Sequence, residues 1–117
     1  MKLGFLGTGN ITSDVVTGIC NSKLKFKQIL VSPRNKNKAK KLKKKFKKIV
    51  IGKNNQEVID KSDWVFIGVL PKVAEKILPN LKFKKNQVVI SFVATLSLSK
   101  LKKKINCQVN LVRAIPM

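Results

Sequence analysis

The sequence predicts an α/β fold, Rossmann-like in architecture: a doubly wound, mostly parallel sheet of about six strands with helices on both faces. Two observations carry that expectation. Short, nearly unbroken runs rich in Val, Ile and Leu occur at residues 3–6, 29–31, 49–51, 64–69, 88–93 and 109–112, and strands covered on both faces read in this way. Each gap between them holds a stretch of helical length or a turn-rich helix start, and such alternation means βαβ units. The last run, 109–112, falls at the outer edge of the sheet, where apolar surface favours self-association.

The helical stretches follow in order. Ile11, Val15, Val16 and Ile19 recur near a period of 3.6, as do Ala39, Leu42 and Phe46 inside a lysine-rich stretch, so each forms an amphipathic helix with a solvated side. Asn54 or Asn55 caps a helix that runs to Asp60, with Glu57 near its positive end. Pro71 opens a helix towards Leu78 that Pro79 stops. Ser97 or Ser99 caps a last helix over 100–104.

A length of 117 residues allows one domain, residues 1–117. With 44% apolar and 26% charged residues the chain can build a core without disulfides or metal. It contains no histidine, and Cys20 and Cys107 lie far apart. That excludes histidine-assisted catalysis and the common zinc frameworks, and makes reduced, buried thiols the expected state. Gly7-Thr8-Gly9-Asn10 interrupts the first apolar run after a few residues, and no run of about 20 apolar residues follows. A cytoplasmic protein with no membrane partner is expected.

Lys and Arg total 26 against 5 Asp plus Glu, a net charge of +21. Such an excess raises nucleic acid as a partner. However, the only arginines are Arg34 and Arg113, tyrosine is absent, and the aromatic residues lie inside apolar runs instead of between basic ones. The chain is also rich in Asn and Ile, the bias of an AT-rich coding sequence, so nucleic acid is not the expected partner. No acidic residue lies between Val15 and Gln56, and a polyphosphate ligand is drawn to that half.

Gly7-Thr8-Gly9-Asn10-Ile11-Thr12 places G-x-G between the first strand and the first helix. In a dinucleotide fingerprint the first glycine makes the tight turn and the second lets the backbone approach the pyrophosphate, which rests on the helix amides. Thr12 stands where the third glycine is usual, so strand and helix are expected slightly further apart, with the hydroxyl able to bond back to a carbonyl of the preceding turn. About 20 residues past the loop an Asp or Glu would hold a free ribose hydroxyl. In its place stands Ser32-Pro33-Arg34-Asn35-Lys36. A hydroxyl and a guanidinium there suit a ribose phosphate, and the expected cofactor is NADP(H). The same residues also read as a turn that caps the second helix.

Gly4 to Ile11, Ser32-Pro33-Arg34-Asn35 with Lys38-Ala39, Asn55-Gln56-Glu57-Val58, Ser62 to Phe66, Val88 to Ser91 and Val112 to Pro116 together resemble the amino-terminal domain of pyrroline-5-carboxylate reductase. That family reduces 1-pyrroline-5-carboxylate to L-proline with hydride from NAD(P)H. The resemblance implies a cofactor site in which Gly7, Thr8, Gly9, Asn10 and Ile11 line the pyrophosphate, Ser32, Arg34 and Asn35 the ribose phosphate, and Asn55 the adenosine ribose. Val69, Leu70 and Pro71 would face the nicotinamide, with Ala94 and Thr95 nearby. Leu70 departs from the lysine that many members carry before the proline. Members continue into a helical domain that forms the dimer and closes over the substrate. The resemblance therefore implies an NADP(H)-binding domain that is inactive alone, with a separate helical domain or subunit as a candidate partner.

Asp14, Glu57, Asp60, Asp63 and Glu75 sit where caps, helix surfaces and strand starts are expected, and none is assigned to acid-base work. No catalytic or metal-ligating residue is nominated. A non-catalytic NADP(H)-binding module and, further off, a basic nucleic-acid-binding domain are the competing readings.

Overall fold

Strand formation here follows from alternation at period two on a backbone buried from both sides. The computed structural model describes residues 1–7, 9–33, 35–93, 96–105 and 108–114. Its elements run β1 (Lys2–Leu6), α1 (Asn10–Cys20), β2 (Gln28–Val31), α2 (Lys36–Lys45), β3 (Ile49–Ile51), α3 (Asn55–Asp60), β4 (Trp64–Ile67), α4 (Pro71–Ile77) with a 3₁₀ turn at Leu78–Asn80, β5 (Val88–Ser91), α5 (Leu98–Lys104) and β6 (Asn110–Arg113). The sheet order is β3-β2-β1-β4-β5-β6, every pairing parallel. This is the doubly wound order, with its direction of winding reversing between β1 and β4.

Alternate residues of each strand feed two separate cores. Leu3, Phe5, Ile29, Val31, Ile49 and Phe66 pack on one face with Val16 of α1 and with Ala39 and Leu42 of α2. Leu6, Leu30, Val65, Ile67 and Val89 pack on the other with Val58 and Ile59 of α3, Ala74 of α4 and Leu101 of α5. Phe5 stacks on Phe66 at 4.4 Å, and Phe66 on Phe92 at 5.8 Å, so an aromatic row crosses the sheet where its winding reverses.

The lysine-rich segment is a helix despite its charge. Lys40 with Lys44 and Lys41 with Lys45 are like-charged pairs at i,i+4, each costing about 0.2–0.5 kcal/mol. Leu42 is buried to 3% exposure, worth about 2 kcal/mol, and the Asn35 side chain accepts from Lys38 N at 3.2 Å as N-cap, adding about 1 kcal/mol. Burial and capping together outweigh the repulsion. In α1 the buried residues are Thr12 and Val16, while Ile11 is 44% exposed. Val15, Val16 and Ile19 of the expected apolar stripe pack on the sheet, and Ile11 at the first turn departs from it.

The short α3 is held by side chains at both ends. Asn54, one of the two expected caps, accepts from Glu57 N at 2.8 Å, and Glu57 accepts from Lys53 N at 3.1 Å. At the far end the buried Gln87 donates to Ile59 O at 2.9 Å and to Ser62 O at 2.8 Å, satisfying carbonyls that a helix end leaves open. Asp63 accepts from Lys2 N at 2.8 Å at the start of β4. Strands β4 and β5 end two residues before the sequence pattern suggests, at Ile67 and Ser91, since beyond them the chain turns to form a cleft. Strand β6 is the edge, as expected, with Val112 48% exposed.

Replacing Gln87→Leu takes this donor from Ser62 O and one of two from Ile59 O, which also accepts from Ser62 N at 3.2 Å. Urea unfolding of the variant is expected to show a loss of about 1–3 kcal/mol, against less than about 1 kcal/mol for Lys61→Ala, an exposed residue just past the same helix.

Candidate functional site

At the carboxyl ends of β1 and β4 the chain leaves the sheet in opposite directions. Leu6 is paired with Ile67, so Gly7 and Gly68 follow side by side. Gly7 has φ +93, a conformation open to glycine, and a Cβ there would lie 2.8 Å from Gly68 O. Gly68 is equally confined, since a Cβ on it would collide with the Thr12 hydroxyl beneath. Two glycines therefore allow two backbones and a helix to meet, and a cleft of about 690 Å³ opens above them, within the usual range for a small-molecule site.

Gly7, Gly9, Asn10, Ile11 and Asn35 line one half of the cleft; Gly68, Val69, Leu70, Pro71, Val73, Phe92 and Val93 line the other. None of these side chains titrates. The α1 N-cap is Gly9, which offers no side chain to the helix start, so first-turn amides remain for a ligand. Lys38 reaches back from α2 to donate to Asn10 Oδ1 at 2.7 Å, bringing an ammonium to the mouth. One half is thus polar and positively charged, the other apolar, as suits a molecule with a charged end and a flat ring.

Of the residues expected from the sequence, Gly7, Gly9, Asn10, Ile11, Asn35, Val69, Leu70 and Pro71 come together in this cleft. Asn35 is both a lining residue and the cap of α2, so capping the helix leaves it at the cleft. Ser32 and Asn55 do not line it: Ser32 is 1% exposed and its hydroxyl donates to Asn55 Oδ1 at 2.8 Å, tying the end of β2 to the start of α3. Thr8, Arg34, Ala94, Thr95 and Cys107 lie outside the described residues.

Thr12 departs from expectation. Its hydroxyl oxygen is buried and finds no hydrogen-bond partner among the described residues, instead of bonding to the preceding turn. It faces Gly68, so the bulk added at the third glycine position is accommodated by a glycine across the sheet. Four lining residues escaped the sequence reading: Gly68, Val73, Phe92 and Val93. The first had a signal, a glycine ending a strand just as Gly7 does; the rest depend on how β4, α4 and β5 pack. Burial pushes the Cys20 thiol up from its ordinary value, with Lys48 opposing, which makes it a poor nucleophile. Among the described residues no cluster of Cys, Asp or Glu is placed to hold a metal, and no helix is long and apolar enough to cross a membrane.

A glycine-ended parallel sheet of this order, with an uncapped helix start facing the cleft between its halves, defines a dinucleotide-binding domain. Residues 2–95 match the family described as NADP oxidoreductase, coenzyme F420-dependent, and the chain belongs to that family. Its cofactor is NADP(H), as the sequence predicts. The chain is similar to pyrroline-5-carboxylate reductase 3 of Danio rerio, 25% identical over 119 residues that cover 99% of this chain and 41% of the relative. Among solved structures, the 1-pyrroline-5-carboxylate reductase of Streptococcus pyogenes is 27% identical with a TM-score of 0.78, covering 99% of this chain and 42% of the other. The pyrroline carboxylate reductase of Plasmodium falciparum, solved with NADP bound, is 26% identical with a TM-score of 0.74, covering 90% and 38%. The chain thus spans about two fifths of the length of the relatives it matches.

Gly68→Ala is expected to destabilise the protein by about 1–3 kcal/mol through overpacking against Thr12. Adding Thr12→Ala should restore most of that loss, and a double-mutant cycle in urea measures the coupling.

Proposed function

We propose that this chain is the NADP(H)-binding domain of a pyrroline-5-carboxylate reductase, and that it presents the hydride donor for reduction of a cyclic imine to L-proline. The observation that supports this reading best is the division of the cleft, whose polar, helix-facing half adjoins an apolar half at the carboxyl ends of β4 and β5. NADPH supplies a hydride from its nicotinamide ring.

The protein's own part is binding and orientation. Amides at the start of α1 receive the pyrophosphate, with Gly7 and Gly9 letting backbone approach closely. Arg34 and Asn35 attend the ribose phosphate, while the Ser32–Asn55 hydrogen bond ties the end of β2, from which they follow, to the start of α3; Thr8 belongs to the pyrophosphate loop. Val69, Leu70, Pro71 and Ala94 bound the nicotinamide side with apolar surface, and exclusion of water there falls to what closes over it. The described lining carries no proton donor, so protonation of the imine nitrogen falls to a group outside it. We therefore infer that the substrate site is completed by a helical domain, on this or a separate polypeptide, and that residues 1–117 alone do not turn over.

Fluorescence titration is expected to give NADPH an affinity at least about tenfold above NADH, and Arg34→Ala should remove that preference, the loss matching about 1.5–3 kcal/mol for a charge-assisted contact. Equal affinities would overturn the cofactor assignment. NADPH oxidation on adding 1-pyrroline-5-carboxylate is expected only when a helical domain is supplied; oxidation by this chain alone would refute its dependence on one.

A further inference from the structure

A second cavity, about 250 Å³, lies between α1 and α2 and is lined by Ser13, Thr17, Lys38, Lys41, Leu42, Lys44 and Lys45. Its two walls carry complementary chemistry at helical spacing. Ser13 and Thr17 are four residues apart on α1, and Lys38, Lys41 and Lys45 follow i, i+3, i+7 on α2, which puts each set on one face. Buried Leu42 forms the floor.

Both hydroxyls are half-buried. Among the described residues neither they nor the ammoniums of Lys41, Lys44 and Lys45 make a hydrogen bond or an ion pair. No carboxylate lines the groove; Asp14, beside Ser13, is exposed and outside the lining. Donors with no acceptor thus converge on one recess. Its volume falls below the roughly 300–1,000 Å³ of sites for whole organic ligands, which points to a small inorganic-type anion.

We propose that the α1–α2 groove is an anion site, separate from the dinucleotide cleft, that takes a short run of phosphates, with Lys41, Lys44 and Lys45 neutralising its charge and the Ser13 and Thr17 hydroxyls donating to its oxygens. The phosphates come either as free oligophosphate or as the tail of a nucleoside triphosphate. Lys38 is shared, since it bonds Asn10 at the cleft mouth, and so it marks where the two sites adjoin.

Calorimetric titration of the full chain with sodium tripolyphosphate, at saturating NADPH and about 0.15 M salt, tests this. Binding of one tripolyphosphate with NADPH still bound is expected. Lys41→Gln/Lys45→Gln should weaken it about tenfold, while Lys102→Gln/Lys103→Gln, which removes the same charge from α5, should change it less than about twofold. Thr17→Val keeps the charge and the shape and should weaken it about threefold. ATP binding as tightly as tripolyphosphate would assign the nucleotide tail; weaker ATP binding would assign free oligophosphate. No binding, equal losses in both lysine pairs, or displacement of NADPH would overturn the proposal, as would tighter binding of a single-stranded oligonucleotide, which would assign the groove to nucleic acid.

Discussion

The parallel pairing of β1 with β4 is the constraint on which the rest of the structure depends. It aligns Leu6 with Ile67 and so brings Gly7 and Gly68 together at the point where the chain leaves the sheet to opposite sides. Parallel strands need crossover connections, and right-handed crossovers on both sides of this pair send α1 and α2 to one face and α3, α4 and α5 to the other. A crevice at the reversal follows from geometry before any side chain is considered. What the side chains add is fit: glycine where backbones converge, an uncapped helix start on one wall, and apolar residues on the other.

Charge plays a different part. An excess of +21 does not specify the fold, which is set by two apolar cores of ordinary composition. Lysine is tolerated on α2 because its long side chain leaves the ammonium in water while Ala39 and Leu42 anchor the opposite face. The consequence is local. Of the few carboxylates, Asp63 pins β4 to the amino end of β1 and Glu57 closes the start of α3. The lysines of α2 are left to face solvent, the cleft mouth and the adjoining groove, and this half of the molecule attracts anions over the distance at which charge acts in salt.

Much of the site was legible because backbone chemistry leaves marks in sequence. G-x-G between a strand and a helix, Pro71 opening α4 and Asn35 before α2 each answer a local demand, and the structure brings all three to one cleft. Ser32 and Asn55 show where such reading stops. Both stand at strand or helix ends suited to a ligand, yet they bond to each other, a pairing between residues on different βα units that no local pattern announces. Thr12 is a similar case. A third glycine was missing from the loop, and its replacement is accommodated by Gly68, just past the end of β4.

By itself the sequence determined the element order, the two-faced burial and the glycine turn, because each depends on residues close along the chain. Tertiary structure alone decided which strand adjoins which, that β4 and β5 end early to open the cleft, and that Phe92, Val93 and Val73 complete its wall. Those features depend on register between segments far apart in the chain, where the physical requirement is mutual fit and neither partner carries it alone.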